Sequence, residues 1–378
     1  MGENKLRARL QAMLAEADVQ LDGGRDWDVQ VHDERLYGRV FSHGSFGIGE
    51  AYINGWWDCA RLDELFYRLF RAELQDRMRG LPLALQSLKS RLVNQQRLSR
   101  SREVAERHYD LGDELYGCML DRRMIYSCAY WENAANLDEA QERKLDLICR
   151  KLGLEPGMRV LDIGCGWGGA ARFAAEQYGV EVVGITISEP QARIGRERCA
   201  GLPVEIVVAD YREIDGRYDR IFSIGMFEHV GYRNYRVFMQ KVRELLSEDG
   251  LFLLHTIGGH HSVTTTDPWI ARYIFPNSML PSMQQIGAAA EAIFVMEDWQ
   301  NFGFDYDHTL LCWYRNFEHA WDRLRANYDE SFKRIWTYYL LASAGTFRAR
   351  RNQLWQIVFS PRGVQGGYRF RRVGGQDQ

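Results

Sequence analysis

The chain reads as an α/β protein with a mostly parallel sheet, preceded by a small, mainly helical region. Three observations predict this. From about residue 158 short apolar runs alternate with amphipathic helical stretches; a basic, polar segment separates that alternation from what comes before; and the earlier part carries helical periodicity. At 378 residues the length suits about two cores, and 46% hydrophobic with 13% aromatic residues is far from a disordered composition.

Taken in order, KLRARLQAMLAEA and LDELFYRLFRAEL are helical stretches flanking a Gly-rich middle, FSHGSFGIGEAYINGWW. Residues 1–90 form the expected N-terminal domain. Residues 91–107, within SRLVNQQRLSRSREVAERH, are basic, poor in large apolar residues and free of Pro and Gly, as in a linker or exposed helix; 108–378 form the second domain. There MRVLDIG is a short buried strand, GGAARFAAEQYG a helix ending in Gly179, and VEVVGITI a strand. Ser188 and Pro190 look like the N-cap and first turn of the next helix. PVEIVVAD and YDRIFSIG continue as strands, NYRVFMQKVRELL as a helix, and GLFLLHTIG and EAIFVMEDWQ as strands. Two long helical stretches follow from about 311 to 345, then QLWQIVFS as the last strand.

Composition excludes more than it selects. Against 51 acidic residues stand 48 basic ones, mostly Arg, so a net charge of -3 names no partner and gives no sign of nucleic-acid binding. The seven cysteines are odd in number, widely spaced and without a C-x-x-C pair, which disfavours a disulfide framework or a metal site and suits a reducing compartment. MGENKLRARLQAMLAEADVQL lacks the apolar core of a secretory signal, and Leu6 stands where a myristoylation site wants Ser or Thr. No apolar run is long enough to span a bilayer, so a cytoplasmic protein is expected, with any membrane contact peripheral.

VLDIGCGWGG (160–169) places a strand, then Gly164, Gly166 and Gly168, then a helix start. Glycines let the backbone turn sharply and approach a ligand, while the helix N-terminus offers free N–H groups. A dinucleotide site expects an acid about 20 residues on. Here GITIS supplies Thr186, so NAD is disfavoured, and Asp162 ahead of the loop is more typical of an S-adenosylmethionine (SAM) site. GMFEHVG (225–231) sets Glu228 beside His229 at a strand end, a pair that taken alone is more often a solvated cap or a satisfied hydrogen-bond pair than a catalytic centre.

In order along the chain, FGIGEAYINGWWDC, HYDLGDELY, IYSCAYW, VLDIGCGWGG, GITISEPQ, GMFEHVG, LLHTIG, DPWIARYIFP, MEDWQNFGFDYDHTL and YYLLASAGTFRAR resemble the cyclopropane-fatty-acyl-phospholipid synthase family, from about residue 40 to 360. The resemblance implies a Rossmann-like SAM-dependent methyltransferase domain and a lipid-contacting N-terminal domain. It implies addition of a methylene across a cis double bond of a phospholipid acyl chain, peripheral docking on the inner face of the cytoplasmic membrane, and a homodimer. The family's bicarbonate ion falls on Cys128, Glu228, His255, Ile257 and Tyr306: backbone N–H groups at 128 and 257, the His255 ring and the Tyr306 hydroxyl donate, while Glu228 accepts the ion's proton. For SAM the resemblance puts Tyr126 and Ser127 at the methionine end and Asp162, Gly164 and Gly166 under the ligand. Thr186, Ile187 and Gln191 fall around the ribose, and Asp210 with Tyr211 near the adenine. His229, if the backbone stays extended, points elsewhere.

Competing readings remain at this point. Cys128 could be a nucleophile, though a free Cys is more often a buried filler. His255, His260 and His261 could suggest a metal, yet GGHHSVTTT reads as a solvated loop. The basic linker and FRARRNQ (347–353) are either solvated faces or contacts for anionic headgroups. The same fold could make a methyl-branched lipid, methylate a small amine, or serve as a non-catalytic membrane-binding module.

Overall fold

The protein's computed structural model describes residues 3–74 and 112–370. The expected linker 91–107, the end of the N-terminal domain and the first residues of HYDLGDELY lie outside the described residues. The N-terminal part holds helices α1 (Glu3–Ala15), α2 (Arg35–Ile53) and α3 (Leu62–Arg71), with a two-residue ladder between β1 (Gln30–Val31) and β2 (Trp57–Asp58). After α4 (Asp113–Met119) and α5 (Leu137–Lys151) the alternation begins: β3 (Arg159–Ile163), α6 (Gly169–Tyr178), β4 (Glu181–Thr186), α7 (Glu189–Arg198), β5 (Val204–Val208), β6 (Tyr218–Ile224), α8 (Tyr235–Leu245) and β7 (Leu246–Gly259). Helices α9 (Pro268–Tyr273) and α10 (Met283–Ala290) precede β8 (Val295–Asn301), α11 (Phe304–Leu324), α12 (Glu330–Arg348) and β9 (Asn352–Ser360).

The seven strands from β3 to β9 form one sheet in the order β5-β4-β3-β6-β7-β9-β8, parallel from β5 through β7, with β9 antiparallel to both neighbours. Chain order reverses beside β3, so the ends of β3, β4 and β6 open a crevice at the switch point. The predicted caps are present. Ser188 accepts from the Gln191 N–H with Pro190 in the first turn, and Gly179 closes α6 in the left-handed conformation. Helix α11 begins at Phe304, earlier than the expected 311, which puts Tyr306 in its first turn.

The N-terminal part does not stand apart. Its Leu14, Trp57 and Phe66 share one apolar core with Trp313, Trp336 and Tyr338 of α11 and α12. Helices α3 and α12 approach so closely that a Cβ on Gly345 would lie 2.7 Å from the Phe66 Cβ. Ion pairs frame this contact: Arg348 meets Asp63 at 2.8 Å, Glu64 at 3.3 Å and Asp307 at 2.9 Å, and Arg334 meets Asp58 at 2.7 Å.

Candidate active site

Every residue expected at the anion and SAM sites lines one cavity of about 880 Å³. Its floor is the turn after β3, where Gly164, Gly166 and Gly168 take φ of 89°, 54° and 77°. Such angles are strained for any side chain, and the space a Gly166 Cβ would enter is open. Around this turn, the Thr186 hydroxyl donates to Gln191 Oε1 (3.0 Å) and accepts from the Ser188 N–H (3.2 Å). Burial pushes Asp162 up to about 8, against the pull of Lys144. Its Oδ2 and the Tyr211 hydroxyl are buried without a hydrogen-bond partner, which fits a polar ligand such as SAM at this end. Asp210, expected to accept from an adenine amine, lines the cavity and pairs with the Arg212 guanidinium at 2.7 and 2.8 Å. Its carboxylate oxygens keep lone pairs beyond those the guanidinium takes.

The centre of the cavity is assembled from β6, β7, α11 and the segment before α5. After β6 the chain turns at Gly225, whose N–H donates to the His255 carbonyl, and Phe227–His229 form a single 3-10 turn. This corrects the extended backbone assumed for His229: its ring also faces the cavity, edge-on to Phe275 at 5.8 Å. Glu228 Oε1 accepts from the Ile257 N–H at 2.7 Å, so an amide expected to face the anion is spent on Glu228 itself. Burial pushes the Glu228 carboxyl up to about 7. Burial also holds His255 neutral, well below the ordinary histidine range. The Gln356 amide donates to its Nδ1 (3.3 Å), which leaves the ring proton on Nε2. Glu228 Oε2 and His255 Nε2 are both buried without partners: one acceptor and one donor, the complement of a small protonated anion such as bicarbonate. Tyr306 packs against Phe347 with ring centroids 4.5 Å apart, and burial raises its hydroxyl well above the usual range. Burial likewise raises the Cys128 thiol, which donates to the Ala129 carbonyl at 3.2 Å.

Behind these residues stands a support the motifs did not reveal. Lys144 of α5 is fully buried and donates to the Ser127 hydroxyl at 2.8 Å, while Gln141 donates to the Ser127 carbonyl at 2.8 Å. Asp305 accepts from the Trp131 N–H at 2.9 Å. The available signal was a polar residue inside an otherwise apolar helical face or strand, as at Lys144 and Gln356. His260 and His261 lie on the exposed loop after β7, and His260 Nε2 donates to the Arg350 carbonyl at 2.5 Å. The other end of the cavity is apolar, walled by Leu10, Met13 and Leu14 of α1 and by Leu69, Phe70 and Leu74 in and after α3.

The family model for mycolic acid cyclopropane synthetase matches residues 96–357. The chain is 50% identical over 361 residues, 95% of its length and 94% of the relative's, to the cyclopropane-fatty-acyl-phospholipid synthase of Escherichia coli K12. It is 39% identical over 269 residues to a probable fatty acid methyltransferase of Pseudomonas putida, covering 68% of each. Among solved structures it resembles the Mycobacterium tuberculosis cyclopropane synthase MmaA2 (TM-score 0.65, 32% identity, 68% of this chain and 97% of that one). The mycolic acid cyclopropane synthase CmaA1 complexed with SAH and CTAB is similar too (TM-score 0.64, 34% identity, 68% and 97%).

Proposed function

Because the chain belongs to the mycolic acid cyclopropane synthetase family, we propose that it converts cis-unsaturated acyl chains of membrane phospholipids to cyclopropane chains, with SAM as methyl donor and bicarbonate as base. One observation carries this reading: a glycine turn, the unpartnered Glu228 and His255 atoms and an apolar wall belong to one continuous cavity. When bound, SAM supplies an electrophilic methyl group and bicarbonate a base. The remaining tasks fall to this chain.

An alkene is a weak nucleophile, so its double bond must be held in line with the methyl group by groups that do not yield. Strand ends and the first turn of α11 offer such fixed points. Methylation leaves a cation on the acyl chain, and the rings of Tyr126, Tyr306 and Trp313, packed at centroid distances of 5.1 to 5.8 Å, give it aromatic surroundings. Water at that point would trap the cation as an alcohol. The burial of Cys128, His255 and Tyr306 excludes it. His255 Nε2–H and Glu228 Oε2 would hold such an anion, the first as donor and the second as acceptor of its proton, and the anion would supply the base that takes a proton from the new methyl group.

Purified protein with SAM and vesicles of a cis-unsaturated phospholipid, analysed by mass spectrometry and proton NMR with and without bicarbonate, tests the reading. The expected product gains a methylene and shows upfield ring protons only when bicarbonate is present. A methyl-branched product would overturn the ring closure, and SAM binding without lipid product would overturn the lipid substrate. Among the described residues no helix is long and apolar enough to cross a membrane, and the peripheral contact proposed here follows from the lipid substrate alone. Co-sedimentation with vesicles checks that contact, and sedimentation velocity checks the homodimer.

A further inference from the structure

SAM ends in an α-amino acid, a carboxylate and an ammonium on one carbon, and the structure supplies one buried group for each. Asp162, 1% exposed, keeps an unpartnered Oδ2 beside the glycine turn. Ser127 stands close by. Its segment packs against the start of α6, where a Cβ on Gly169 would lie 2.7 Å from Ile125 Cδ1, and a Cβ on Gly225 would lie 3.8 Å from the Ser127 Cβ. Asp162, Ser127 and Gly225 all line the cavity. Behind them lies Lys144 of α5, a fully buried cation that the reaction described above does not use. Its ammonium donates to Ser127 Oγ at 2.8 Å, and its charge acts on Asp162 as well.

The bond from Lys144 limits what Ser127 can do. An ammonium has donors only, so the Ser127 oxygen accepts from it and the hydroxyl's own proton must point elsewhere. Among the described residues that proton meets no acceptor, while Ser127 lines the cavity. Accepting from a charged donor polarises the hydroxyl and makes it a stronger donor in turn, which suits a carboxylate. We propose that Lys144 is a positioning residue for the amino-acid end of SAM: it turns the Ser127 hydroxyl to donate to the carboxylate, while Asp162 Oδ2 receives the ammonium. Burial leaves Asp162 raised to about 8, and a ligand ammonium beside Oδ2 restores its charge. The assignment rests on the SAM reading above and adds to it a residue that does not line the cavity.

Calorimetry tests this with two unreactive ligands that share a nucleoside thioether: S-adenosylhomocysteine, which keeps the amino-acid end, and 5′-methylthioadenosine, which lacks it. The ratio of their dissociation constants is measured for the wild type, Ser127→Ala, Lys144→Met and the double variant. The relay predicts that each single change lowers the preference for S-adenosylhomocysteine about tenfold and leaves 5′-methylthioadenosine binding unaltered, and that the double variant falls no further than either single one. Ser127→Thr, which keeps the hydroxyl, should retain most of the preference. Lys144→Gln, which loses the charge, carries the same prediction should Lys144→Met not fold. An unchanged ratio in either single variant would overturn the relay, and so would additive losses in the double variant, which would make the two residues independent. Equal losses for both ligands would overturn it too, by reducing Lys144 to a brace of the fold. Bicarbonate is the other anion proposed for this cavity: if Ser127→Ala needs more bicarbonate for half-maximal turnover at an unchanged ratio, the donor serves that ion and the proposal fails. Wild-type binding keeps the two readings distinct. Its absence for both ligands counts against SAM itself, while binding with unchanged ratios counts against Lys144 and Ser127 alone.

Discussion

The two ends of the cavity are built by different parts of the chain and in different chemistry. The end under the glycine turn is made of strand termini, and its polar atoms are buried, hydrogen-bonded to one another or waiting for a ligand. The far end is made of α1 and α3, and its wall is aliphatic and aromatic. Neither end alone describes a lipid-modifying enzyme. The MmaA2 and CmaA1 structures extend over 68% of this chain, whereas the E. coli synthase matches 95% of it. The family model spans residues 96–357, which hold the polar end, whereas the likeness to the E. coli synthase extends over nearly the whole chain.

The sharpest way to break this contrast is to remove one acceptor from the polar end. Glu228→Gln should keep SAM affinity, measured calorimetrically, while turnover falls by roughly 10²–10⁴-fold, the usual weight of a positioned proton acceptor. The wild-type pH profile should agree. With the carboxyl raised to about 7 by burial, turnover is lost as pH falls through 7 and the acceptor takes up a proton. Stability runs the other way. Between the ordinary 4.5 and about 7 the folded chain keeps a proton that the unfolded chain has released, so folding weakens as pH rises through that window. Glu228→Gln cannot ionise and should be the more stable protein above pH 7, by up to about 3 kcal/mol, in urea unfolding. A variant that turned over normally would remove Glu228 from the mechanism.

Next in size is the joint between the regions. Arg348→Met removes a guanidinium that holds Asp63 and Glu64 of α3 and Asp307, the neighbour of Tyr306. Because the pairs are partly solvated, the loss should be about 2 kcal/mol of stability rather than the larger cost of a fully buried pair. Lipid turnover should suffer more than SAM binding. Equal losses in both would mean that the clamp holds the fold without favouring either end. A smaller change at the apolar wall sharpens the same point: Leu69→Asn should raise the lipid KM roughly tenfold by placing an amide among aliphatic groups, and leave the SAM dissociation constant unaltered.

How legible each end was follows from how it is built. The polar end rests on consecutive residues at strand ends, so VLDIGCGWGG, GITISEPQ and GMFEHVG each carry a complete local pattern, and Ser188 and Gly179 mark helix ends by their own chemistry. The apolar end is drawn from two helices whose residues look like any buried face, and no short pattern distinguishes a wall from a core. Partners were harder still. That the Ile257 amide is spent on Glu228, that Arg212 pairs with Asp210, and that Lys144 and Gln141 brace Ser127 are facts about residues far apart in sequence or about side-chain direction. Periodicity fixes neither. His229 shows the same limit, since one 3-10 turn reverses the alternation that an extended strand would have given.

The smallest expected effect separates a backbone from a side chain at one position. Cys128 is fully buried, and its thiol is raised well above the usual range by that burial, so no thiolate is available near neutral pH. The sulfur donates to the next residue's carbonyl, 3.2 Å away. On the proposed reading the site draws on the amide at 128, which any residue supplies. Cys128→Ala should therefore keep turnover within about threefold of wild type and lower stability by about 1 kcal/mol for the lost packing. Loss of turnover on the scale of Glu228→Gln, in a variant that still folds and binds SAM, would show instead that the sulfur itself takes part.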